Sequence, residues 1–302
     1  MRSVAAFLSR LFQPLGDTLT CALFPASCIL CHDLLPRFTH APICQACWDE
    51  APEPRAHCCA CCGDDLFIPA QPNGQSQLCR VCRLAPPPFV RAISHSVYDG
   101  SIRGALHALK YDRITPVAKI LGERLAGAIE ELFDADAPRE MLVIPVPLHR
   151  ARKRQRSFNQ ARALAAEAVR HLRRTHPERI LEMPPGGLVR QRATASQAGL
   201  TPRQRRQNLR GAFFVPDVEA IRGRHILLID DIYTTGATAR ACSRVLIEAG
   251  AASVCVATVA RAQRQFPSHA PGALTGQVAI NQQPGAVLSP ETMHGTPIIL
   301  QS

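Results

Sequence analysis

Apolar and polar positions recur with two different periods along this chain, and the change of period marks its elements. MLVIPV (141–146), HILLI (225–229) and SVCVATV (253–259) are short, nearly continuous apolar runs, the pattern of strands buried on both faces. FNQARALAAEAVRHLRR (158–174) repeats at helical spacing instead, with Phe158, Ala161, Leu164, Ala165, Ala168 and Leu172 on one side. TARACSRVLIEAG (238–250) predicts a further helix that stops at Gly250. A strand, a crossover helix and a second strand predict an α/β fold with a parallel sheet. A ligand is then expected at the strands' carboxyl ends.

This pattern fills residues 91–262 and weakens outside them. Residues 1–27 read as an amphipathic helical lead-in: Arg10 interrupts the apolar stretch and no small-residue cleavage site follows, which argues against a signal peptide. Residues 28–84 are cysteine-rich with few apolar periodicities. APPPFV (85–90) is a stiff, extended joint. From 263 to 302 Gly, Pro, Gln and Ala dominate and only Arg264 and Glu291 are charged, which predicts a disordered tail. No run of 18 apolar residues occurs, so no transmembrane segment is expected.

Composition adds two constraints. The 302 residues are 46% hydrophobic, enough for a sizeable core. The net charge is +11, and of the 35 basic residues only Lys110, Lys119 and Lys153 are lysine. Such an arginine excess suits a phosphate-rich partner, which the guanidinium fork grips bidentately. It equally follows from GC-rich base composition, so bulk charge decides neither reading.

The cysteines are more specific. Eleven of the 13 lie between positions 21 and 82. An odd total, paired spacings and no signal peptide predict metal sites in a cytoplasmic protein, not a secreted disulfide framework. Cys28/Cys31 and Cys44/Cys47 form two C-x-x-C pairs, each placing two thiolates on one tight turn. In HCCACCG both Cys58/Cys61 and Cys59/Cys62 have the required spacing. Cys59 and Cys62 are favoured because Gly63 then follows the turn directly. Cys79 and Cys82 complete the second set. Four-cysteine sites are closed, so the expected zinc is structural. His32, His40 and His57 read as solvated, and Cys242 and Cys255 as buried thiols.

The chemistry concentrates in HILLIDDIYTTGATARA (225–241). Thr234, Thr235, Gly236, Ala237 and Thr238 form a strand-to-helix loop whose amides and hydroxyls suit a phosphate, aided by the helix N-terminus. No Lys follows the glycine, so this is not a Walker loop. Asp230 and Asp231 stand just before it. Adjacent carboxylates beside an anion site make sense when the ligand also offers hydroxyls or brings magnesium. A sugar phosphate does both.

ILLIDDIYTTGATA resembles the phosphoribosyl pyrophosphate (PRPP) motif of type I phosphoribosyltransferases. The order of other segments extends the likeness. Four C-x-x-C pairs are followed by YDGSIRGALHALKYD (98–112), PVPLHRARKRQRSFNQ (145–160), R-x-R-x-T-x-x-Q (190–197) and LTPRQRRQNLRGAF (200–213). Over residues 20 to 262 the chain resembles the ComF/GntX, or competence protein F, family. That resemblance implies a type I phosphoribosyltransferase fold, a double zinc ribbon at 28–84, and PRPP with magnesium as ligand. It implies that Asp230 and Asp231 bind the ribose hydroxyls and that Thr234–Thr238 hold the 5′-phosphate. Pro145–His149 become the pyrophosphate-side loop, and Arg190–Arg206 a hood closing over the site.

Arg156, within the basic cluster Arg150–Arg156, and Lys110 join the ligand-binding set. Lys110 reads equally as a helix-cap residue. Ser157 stands where the family has Gly and suits a helix N-cap. The acid that some purine transferases carry at position 234 is replaced by Thr234, which argues against that purine chemistry. The implied role is DNA uptake in natural transformation, with single-stranded DNA or DNA-uptake proteins as partners. One Trp, three Tyr and eleven Phe make a poor stacking platform and favour a partner-mediated role. Catalysis, the acceptor and homo-oligomer formation are left open.

Overall fold

The computed structural model describes residues 26–36, 41–52, 57–66, 77–112, 114–134, 136–148, 158–192, 204 and 208–263. The chain divides into two compact units, Met1–Arg264 and Gln265–Ser302, and every described residue lies in the first. The expected lead-in helix before Ala26, the tail from 264, the basic cluster with Arg156 and most of the hood lie outside the described residues.

Among the described residues a five-stranded parallel sheet forms the centre. Its strands are β1 (Arg91–Val97), β2 (Glu140–Pro145), β3 (Ile180–Glu182), β6 (His225–Tyr233) and β7 (Ser253–Arg261), in the order β1-β7-β6-β2-β3. The two-residue strands β4 (Val189–Arg190) and β5 (Phe213–Phe214) pair antiparallel beside it. The helices are α1 (Gln45–Asp49), α2 (Arg80–Leu84), α3 (Gly100–Lys110), α4 (Val117–Glu130), α5 (Gln160–Thr175) and α6 (Ala237–Glu248).

Both faces of the sheet are covered, which is why β6 opens with an uninterrupted apolar run. Ile226, Leu227, Leu228 and Ile229 are all fully buried. Leu227 and Ile229 face a core built from α3, α4 and α5, through Leu106, Leu125 and Leu164. Ile226 and Leu228 face the opposite core, with Cys242 and Leu246 of α6 and with Ile221. Cys242 is thus a buried core thiol, as expected.

The topology opens a crevice among the described strands. From β2 the chain crosses through α5 on the first face to β3. From β6 it crosses through α6 on the second face to β7. Adjacent strands β2 and β6 therefore send their helices to opposite faces, and the ends of those strands open a gap at this switch point.

Two sequence expectations shift. Strand β6 runs four residues beyond HILLI, so Asp230 and Asp231 lie inside the strand, not after it, and Asp230 pairs with Thr258 of β7. The cap of α5 is Asn159, not Ser157: Asn159 Oδ1 accepts from the Arg162 amide at 3.4 Å, and the helix begins at Gln160. Phe158 therefore precedes the helix, while Ala161, Leu164, Ala165, Ala168 and Leu172 are buried as the spacing predicts.

Candidate functional site: a carboxylate pair, a strand-to-helix loop and two cysteine groups

Asp230 and Asp231 sit at the carboxyl end of β6, at the switch point. Extended backbone sends their side chains to opposite faces. The Asp231 amide donates to Asp230 Oδ1 at 2.9 Å, and Lys110 Nζ reaches Asp231 Oδ2 at 2.7 Å. Lys110 is the last residue of α3, and its side chain is 14% exposed against 17% for Asp231. The sequence offered Lys110 as a cap or a ligand contact; in the structure it is the partner of one of the paired acids. Burial, then the charge of Asp231, push Asp230 up to about 7, against the pull of the Asp231 amide, Lys110 and Arg190. Arg190, the first residue of the expected hood, is buried on β4 with its guanidinium 5.4 Å from the Phe213 ring.

Behind the carboxylates the chain turns into α6. Gly236 is the N-cap with φ of 72°, a left-handed conformation that disfavours other residues. A Cβ there would also run into the Tyr233 hydroxyl and ring, so the loop backbone lies directly on that ring. Thr235 Oγ1 is buried and finds no hydrogen-bond partner among the described residues. Asp230, Thr234, Gly236, Ala237, Thr238 and the buried Thr258 of β7 line one crevice. Across it Val146 donates to the Ile229 carbonyl (2.8 Å), and Asn159 Nδ2 donates to the Val146 carbonyl (3.0 Å). These bonds tie the segment after β2 to the end of β6. A left-handed glycine, a helix N-terminus and an orphaned hydroxyl suit an anion; the acids suit hydroxyl donors.

The eight expected zinc ligands form two groups: Cys28, Cys31, Cys44 and Cys47, and Cys59, Cys62, Cys79 and Cys82. Within each, all four sulfurs lie within 4.8 Å of one another. Sulfur separations of 3.6, 3.7 and 3.9 Å agree with the about 3.8 Å spacing that tetrahedral zinc at 2.3 Å imposes. The residues fit a structural zinc in each group.

The two groups are copies of one device. In the first, the Cys28 amide bonds the Asp33 carbonyl and the His32 amide bonds the Cys28 carbonyl. In the second, the Cys59 amide bonds the Asp64 carbonyl and the Gly63 amide bonds the Cys59 carbonyl. The Cys44 and Cys79 amides donate to the Cys28 and Cys59 sulfurs at 3.3 and 3.2 Å, and Cys44 and Cys79 then cap α1 and α2. His32 (φ 65°) and Gly63 (φ 69°) occupy the same left-handed position. The two sets were expected from the cysteine spacing, but their shared turn geometry was not legible, because a histidine stands where the second copy has glycine. It also favours the Cys59/Cys62 register, whose sulfurs gather with those of Cys79 and Cys82. Cys61 Sγ points to the Phe89 carbonyl, and burial raises both the Cys58 and Cys61 thiols. The Cys62 side chain and the Cys62, Cys79 and Cys61 amides bring Cys59 down to about 4 against its burial.

The groups pack on opposite faces of the sheet: Cys28 and Cys47 join the core of α3–α5, while Cys59, Cys62, Cys79 and Cys82 join that of α6. Arg261, the last residue of β7, was not singled out in the sequence. It is buried, pairs with Asp64 at 3.0 Å and donates to the Cys62 carbonyl.

Parallel topology, the switch-point crevice and the loop at the end of β6 define the phosphoribosyltransferase fold, and residues 155–273 match the phosphoribosyl transferase domain family. The chain belongs to the ComF family of phosphoribosyltransferase-like proteins. It is 30% identical over 234 residues to DNA utilization protein YhgH of Salmonella typhi, covering 76% of this chain and 94% of that one. It is 27% identical over 209 residues to competence protein F of Haemophilus influenzae, covering 68% and 84%. Among solved structures it is similar to the glutamine PRPP amidotransferase of B. subtilis complexed with ADP and GMP. The TM-score is 0.30 and the identity 20%, over 50% of this chain and 30% of that one. No helix among the described residues is long and apolar enough to cross a membrane.

Proposed function

We propose that the chain binds PRPP with magnesium in the crevice between β2 and β6. The observation that carries this reading is the succession of Asp230, Asp231 and the left-handed Gly236 ahead of α6, with Thr235 Oγ1 buried and without a partner among the described residues. Asp230 and Asp231 accept hydrogen bonds from the ribose hydroxyls. The amides and hydroxyls of Thr234–Thr238 take the 5′-phosphate, and Arg156 of the basic cluster serves the pyrophosphate. Lys110 acts by holding Asp231. Magnesium would neutralise part of the pyrophosphate charge. A transfer reaction would join the anomeric carbon to a nitrogenous acceptor and release pyrophosphate.

Calorimetric titration of PRPP and magnesium into zinc-loaded protein tests the reading, beside Asp230→Asn/Asp231→Asn. Saturable binding to the parent that is lost in the double variant is expected. An intact parent that binds no PRPP would sink it.

A second reading is favoured by the relatives, whose names speak of DNA utilization and competence. In it the crevice senses or uses PRPP while the protein serves DNA uptake in the cytoplasm, through single-stranded DNA or through uptake proteins. It predicts salt-sensitive binding to an oligonucleotide, or association with a partner protein, that survives the Asp230→Asn/Asp231→Asn change.

A further inference from the structure

The second cysteine group and the Thr234–Thr238 loop are joined by a short run of buried contacts. Arg261 Nη1 donates to the Cys62 carbonyl, and Nη2 lies 3.8 Å from Cys62 Sγ and 3.0 Å from Asp64 Oδ1. The same guanidinium stacks on Tyr233, 4.4 Å from the ring centroid. Gly236 abuts the same ring: a Cβ there would occupy the space of the Tyr233 ring and hydroxyl. Arg261 and Tyr233 are also register partners across β7 and β6, so their backbones cannot drift apart. A second strut runs parallel: Arg240, whose amide bonds the Gly236 carbonyl, donates from Nη1 to the Ala85 carbonyl at the end of α2 (2.9 Å).

We propose that Arg261 is a positioning residue that transmits the order of the second four-cysteine site to the loop, setting Tyr233 beneath Gly236. Metal at Cys59, Cys62, Cys79 and Cys82 fixes the Cys62 carbonyl and Asp64. Those two groups fix the guanidinium, and the guanidinium fixes the ring on which the loop rests. The first cysteine group has no such path to the loop among the described residues. On the other face of the sheet Arg124 touches the first group's helix instead, donating to the Trp48 carbonyl at 3.0 Å and lying 5.3 Å from the Trp48 ring centroid. Arg124→Met therefore controls for the loss of an arginine anchored beside the other cysteine group.

The proposal deepens the reading of the loop as a phosphate site, but its test does not depend on that ligand. Amide hydrogen exchange of Tyr233–Thr238 is compared in metal-loaded parent, Arg261→Met, Arg261→Lys and Arg124→Met, with metal content measured by native mass spectrometry. Arg261→Met is expected to speed exchange in the loop by roughly tenfold while both metals are retained, with Arg261→Lys in between and Arg124→Met like the parent. Where Arg261→Met does not fold, Asp64→Asn, which removes one anchor of the guanidinium, is expected to show the same effect more weakly. Loop exchange unchanged in Arg261→Met, or raised equally by Arg124→Met, overturns the proposal. A parent that fails to bind PRPP in calorimetry overturns the ligand reading alone and leaves the exchange comparison decisive.

Discussion

Lys110 closes on Asp231: the ammonium at the end of α3 lies 2.7 Å from one of the two neighbouring carboxylates of β6. Two adjacent acids that are largely buried repel each other, and this ion pair offsets the repulsion. Lys110→Met leaves Asp231 half-buried without its cation. It is expected to lower stability by about 1–3 kcal/mol, and Lys110→Met/Asp231→Asn to recover most of that loss. Urea unfolding of the two single variants and the double variant gives the coupling directly.

Asp230 carries the pH dependence. Folded, it keeps its proton up to about pH 7, whereas an unfolded aspartate releases it near pH 4. Between those values the native state binds more protons, so this group's contribution to stability falls as pH rises. Relative to Asp230→Asn, the parent is expected to lose on the order of 3 kcal/mol between about pH 4 and pH 7. Chemical unfolding across that range checks it; a flat difference between the two proteins contradicts the assignment.

Ligand binding should run the other way. A ribose hydroxyl donates to a carboxylate, so PRPP binding draws the proton off Asp230. Affinity is expected to rise with pH to about 7 and then level, with proton release visible as a buffer-dependent binding enthalpy near pH 6. Asp231→Asn, which removes the neighbouring charge, is expected to shift this rise to lower pH.

The register of the second cysteine group is testable one residue at a time. Cys59→Ala and Cys62→Ala are expected to lose one zinc per chain, whereas Cys58→Ala and Cys61→Ala keep two. Zinc released on thiol modification, counted with a colorimetric chelator, distinguishes them. Retention of both metals by Cys59→Ala would reverse the assignment.

Gly236→Ala combines a left-handed φ with a collision against Tyr233. A loss of about 1–3 kcal/mol is expected, with PRPP binding weakened beyond detection. Thermal unfolding and calorimetry measure the two effects separately.

Much of this was readable from local pattern. Continuous apolar runs announced β2, β6 and β7 because a sheet covered on both faces needs no polar side, and helical spacing located the buried face of α5. The cysteine pairs declared themselves by spacing. What stayed hidden depends on residues distant in the chain. Nothing local to Lys110 shows that the end of α3 meets the end of β6, since 121 positions apart is beyond any periodic signal. Arg261 looks like an ordinary strand-end arginine, because its partners Cys62 and Asp64 lie nearly the length of the fold away. Strand β6 outruns its apolar pattern because Asp230 and Asp231 break the apolar run without ending the strand, which pairs with β7 as far as Tyr233.

The 199 positions between Cys62 and Arg261 order events during synthesis. Each cysteine group draws its four sulfurs from a span of a few tens of residues and is complete long before β7 is made. The edge strand β1 must wait, because its partner in the sheet is β7, the last of the described strands in the chain. A nascent chain halted before residue 253 therefore carries both complete cysteine groups and a β1 without its partner strand, exposed to stray pairing with other chains. Completion of β7 seats both: it covers β1 along one edge and brings Arg261 down onto Cys62 with its final residue.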